Sequence, residues 1–76
     1  MIRVQLWSGD TLLQETVVTN EKLADRAMDQ IITDVHAGRF REGIYTLEAD
    51  RIDPRNRTFL GSYWRTEELS YELLRT

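Results

Sequence analysis

Residues 20–37 read NEKLADRAMDQIITDVHA, and this stretch decides the fold because apolar residues recur there at helical spacing. At about 100° per residue, Ala24, Ala27, Met28, Ile31 and Val35 fall in a stripe roughly 100° wide, with Ile32 at its edge. One buried face is predicted. Glu21, Asp25 and Asp29 run down one flank, Lys22, Arg26 and Thr33 lie opposite the stripe, and all six are expected in solvent. Thr19 or Asn20 is placed to cap the start, with Glu21 in the first turn where the helix dipole favours negative charge. At the far end Gly38 suits a left-handed C′ position, and His36 sits near the carboxyl terminus.

Working outward, Ile2-Arg3-Val4-Gln5-Leu6-Trp7 alternates apolar and polar, the period-two pattern of a strand with Ile2, Val4 and Leu6 on its buried side. Ser8-Gly9-Asp10 reads as a turn, and Thr11 to Val18 returns as a second strand. The loop can hold two, three or four residues. Pairing Trp7 with Leu12 is preferred, because it sets Leu6 opposite Leu13 and Ile2 opposite Val17 on the core side.

After the helix, Ile44 to Ile52 reads as a third strand with Tyr45, Leu47 and Ala49 on one face and Ile44, Thr46 and Glu48 on the other. Asp53-Pro54-Arg55-Asn56-Arg57 is a turn by its proline, aspartate and asparagine. Thr58 to Trp64 follows as a fourth strand, with Gly61 marking a bulge or a close backbone approach. From Thr66 the tail TEELSYELLRT has a helix start and leucines four apart, yet Leu69, Tyr71 and Leu73 also alternate; a short helix is preferred over an extra strand. The predicted architecture is a single α+β domain over residues 1–76, of order ββαββ. It has an antiparallel sheet, one long helix packed on one face, and a short C-terminal helix or extra strand.

At 76 residues the chain supports one modest core, and without cysteine it has no disulfide or thiolate metal site. A partner or a second copy is therefore expected to add stability. Hydrophobic content of 41% with 30% charged residues is ordinary for a globular chain. No apolar run approaches the roughly 20 residues needed to span a bilayer, and MIRVQLW lacks a signal-peptide core, so a cytoplasmic protein without membrane contact is expected.

Chemistry is sparsely signalled. His36 is the one histidine, which removes paired-histidine, histidine-rich metal and cysteine–histidine mechanisms. Ser8, Ser62 and Ser70 lack a nucleophile-elbow context, and the four glycines are too dispersed to cradle a phosphate. A non-enzymatic protein without cofactor, metal or small-molecule substrate is expected.

The net charge of −3 is unevenly spread. Acids outnumber bases six to three from Met1 to Ala37, whereas bases lead six to four from Gly38 to Arg65, where most aromatics also lie. Two binding readings follow. In the first, Trp7, Tyr63 and Trp64 anchor another protein, or a second copy in a homodimer, on the sheet face the helix leaves open, with Arg55 and Arg57 as a charged rim. In the alternative, Arg39, Arg41, Arg55, Arg57 and Arg65 contact nucleic acid. A third reading is a structural subunit of a larger assembly. In size, charge and element order the chain resembles small stand-alone proteins of phages and mobile elements, including some inhibitors of bacterial defence systems. That resemblance implies an inhibitor-type interaction protein and assigns no site residues.

Overall fold

The computed structural model describes residues 1–41 and 43–70. Four strands, β1 (Ile2–Ser8), β2 (Thr11–Val18), β3 (Ile44–Ile52) and β4 (Phe59–Ser70), and one helix, α1 (Glu21–His36), form the expected ββαββ order. The strands make a single antiparallel sheet of order β2-β1-β3-β4.

The helix forms where its periodicity placed it. Asn20 is the N-cap, its side-chain oxygen accepting from the Leu23 amide at 2.9 Å, and Ala37 is the C-cap, followed by Gly38 at φ +82°. Asn20→Ala should cost about 1 kcal/mol of stability, read as a lower urea midpoint with an unchanged slope.

Ala24, Met28, Ile31 and Val35 pack against Ile2, Val4 and Leu6 of β1, Tyr45, Leu47 and Ala49 of β3, and Leu69 of β4. The helix lies nearest β1 and approaches both edge strands, β2 and β4.

The first hairpin departs from the preferred register. Trp7 does pair with Leu12, but a bulge between Leu6 and Trp7 sets Leu6 against Gln14, Arg3 against Val17 and Ile2 against Val18. The extra residue is Leu13, so the inward phase of β2 passes to Gln14, Thr16 and Val18, and Val18 rather than Val17 packs on the core. The tail also departs from the preferred helix: β4 continues past Trp64 to Ser70, with Leu69 buried opposite Tyr45. The rest of that expectation, with Tyr71 and Leu73, lies outside the described residues.

The α1–β3 connection is held by Tyr45, whose hydroxyl lies 2.7 Å from the Phe40 carbonyl oxygen and 2.8 Å from that of Arg41. Arg41 itself takes φ +78°.

Candidate functional site

Asp25 and Asp29 of α1 and Tyr63 and Trp64 of β4 line the junction of the two elements. Beyond the helix, β4 carries three register shifts against β3. At the middle one Ala49 pairs with Trp64 and Asp50 with Ser62, leaving Tyr63 as the extra residue. Two consecutive aromatic side chains therefore point to the helix side, where alternation would place only one.

Tyr63 and Trp64 form one wall of a groove of about 350 Å³, with Met28 and Ile32 on its apolar side and Asp25 and Asp29 on its rim. Among the described residues no basic side chain lines it. The Tyr63 hydroxyl donates to Asp25 Oδ1 at 2.8 Å, while the Arg51 guanidinium lies 5.0 Å from the Tyr63 ring centroid and 2.6 Å from Glu21 Oε1. Glu21, Asp25 and Asp29 recur every four residues, so a single helix flank supplies all three carboxylates.

The hydrogen bond to Asp25 is the largest cause raising the Tyr63 pKa above the ordinary tyrosine value; the negative charge of Asp25 and Glu21 acts in the same direction and Arg51 opposes it. A raised folded pKa means this contact is intact below the ordinary tyrosine value and is lost as pH rises through the raised one. In a tyrosinate absorbance titration, Asp25→Asn should therefore move the Tyr63 ionisation down toward the ordinary value.

The opposite sheet face is mainly polar. Gln5, only 8% exposed, donates through Nε2 to Glu15 Oε2 at 2.9 Å; Arg3 lies 3.8 Å from Asp50, and Arg65 lies 3.8 Å from Glu48 and 2.9 Å from Glu67. Trp7 is the aromatic there, half-buried beside Thr46, with its indole N–H covered and unpartnered among the described residues. The predicted anchors are thus divided between faces, Trp7 on one and Tyr63 and Trp64 on the other. Arg55 and Arg57 sit in the exposed β3–β4 turn.

The five arginines of the nucleic-acid reading are also dispersed. Arg39 and Arg41 precede β3 and Arg55 and Arg57 follow it, a separation of about 30 Å for a nine-residue strand. Arg39 lies 3.3 Å from Asp34, and Arg65 is held by the two glutamates of the polar face. His36 lies in the last turn of α1, with its Nε2 covered and without a partner among the described residues.

Sequence reasoning missed Asp25, Asp29 and Arg51 as parts of one site. The spacing of the acids was visible, but which strand lay beside them was not. Along β4, an edge strand, Phe59, Leu60 and Trp64 are 57%, 63% and 38% exposed; Trp64 lines the groove and Leu60 a separate hollow beside Met1 and Asn20. Among the described residues no helix is long and apolar enough to cross a membrane, and no cluster of three metal-ligating side chains occurs. Comparison with known proteins returns no matching family model, no matching curated protein and no matching solved structure.

Proposed function

We propose that this is a non-enzymatic protein-binding protein of the inhibitor or adaptor type, acting through the β4 edge and the groove beside it. The observation that carries this reading is the exposure of Phe59, Leu60 and Trp64 on one strand. Large apolar side chains exposed together, next to arginines and a concave site, are the composition of an interface core with its rim. Arg55 and Arg57 belong to the rim, in the turn that leads into β4. Trp7 anchors a separate face and is not needed for this contact.

Capture from the native host tests the reading. Wild-type protein should retain a partner that Phe59→Ser/Leu60→Ser loses, with the two proteins melting within a few degrees of each other. A partner held equally by both would remove β4 from the interface and overturn the proposal.

A further inference from the structure

We propose that the α1–β4 groove seats the guanidinium of an arginine from a different protein, between the Trp64 ring and the Asp25 and Asp29 carboxylates. This rests on the protein-binding reading and names the chemistry its groove selects.

The molecule contains its own template for the contact. One helical turn away, Arg51 lies 5.0 Å from the Tyr63 ring centroid and 2.6 Å from Glu21, so an arginine is held there between an aromatic ring and a helix carboxylate. Trp64 follows Tyr63, and Asp29 follows Asp25 by one turn, which repeats the same components at the next step. There, however, no arginine or lysine lines the space, and Asp29 makes no ion pair among the described residues. The groove of about 350 Å³ has room for a long side chain.

Charge and shape choose the occupant. Two carboxylates on the rim repel phosphate and carboxylate ligands and attract cations. Arginine fits better than lysine, since its planar guanidinium stacks on indole while forking onto a carboxylate. A second copy is the poorer source. The turn arginines, Arg55 and Arg57, lie at one end of β4 and the groove midway along it, so one molecule filling another's groove makes a head-to-tail contact.

The test is a titration of isotope-labelled full-length protein with a blocked Gly-Arg-Gly peptide and with its citrulline counterpart, which keeps the shape and removes the charge. The arginine peptide should shift the Trp64 indole and the Asp29 amide with saturation in the millimolar range, the order expected for one cation–aromatic contact with an ion pair. The citrulline peptide should leave them in place. Asp29→Asn should weaken the arginine response by about five-fold, and Trp64→Ala should abolish it.

Equal shifts with both peptides, no saturable shift, or shifts mapping elsewhere would overturn the inference. So would a Trp64-dependent doubling of solution mass, which would make the occupant a second copy. Failure of the inference is separable from failure of the reading beneath it. A partner lost by Phe59→Ser/Leu60→Ser but bound normally by Asp29→Asn leaves the interface standing and removes only its arginine.

Discussion

Leu47→Ala is expected to lower the thermal midpoint by about 10–25 °C, the largest stability effect of any single truncation argued for this chain. Leu47 is fully buried on β3, a central strand, within the cluster formed with Ile31 and Leu6. Removing its branched end deletes transfer energy and leaves a cavity that two flanking strands and a helix hold open, which together cost about 2–5 kcal/mol. The whole domain has only about 4–11 kcal/mol to lose if it follows the usual per-residue stability. A urea series read by circular dichroism would measure the change. Leu12→Ala is the control, since Leu12 is 41% exposed on the β2 edge and should cost less than about 1 kcal/mol. Equal losses at both positions would mean that burial on β3 is not the source.

Trp64→Ala is the second, and its effect divides the other way. Trp64 is 38% exposed on an edge strand, so its truncation should lower the midpoint less than Leu47→Ala does and leave the free variant folded. In a protein interface, loss of a central tryptophan weakens binding by about 30-fold or more. Calorimetry against the captured partner, beside a melting curve of the free variant, reads both quantities. A variant that unfolds would place Trp64 among the core residues, and one that binds normally would take it out of the interface.

The difference between these residues was partly legible in the sequence. Leu47 alternates with Tyr45 and Ala49, and that pattern put it inside. The helix was legible in full, cap to cap, because its apolar stripe and end residues agreed. Bulges were the obstacle elsewhere. An unbroken hairpin would bury Leu13 and Val17, but the extra residue at Leu13 reverses the phase of β2. Hydrophobicity alone does not reveal this, since the bulge is set by pairing with β1 and not by the residues of β2 alone.

The same holds for Tyr63 and Trp64. Strict alternation separates them, and only a bulge opposite Ala49 and Asp50 brings both to the helix. The candidate site was accordingly readable in its parts and not in its assembly. Aromatics and acids could be named, but the neighbour of the acidic flank depends on β1 lying at the centre of the sheet. Nothing local to residues 2–8 encodes that position apart from their high apolar content.

The two borders of the sheet have unequal consequences for growth. Along β4 the register shifts three times, so its outer backbone is not a straight template, whereas β2 runs without a shift from Gln14 to Val18. In polymer terms such a molecule is monofunctional. Joining two straight borders consumes both and terminates the chain at a pair, while a ribbon needs two reactive ends on every unit. The irregularity that turns Tyr63 and Trp64 toward the helix thus also acts as a chain stopper.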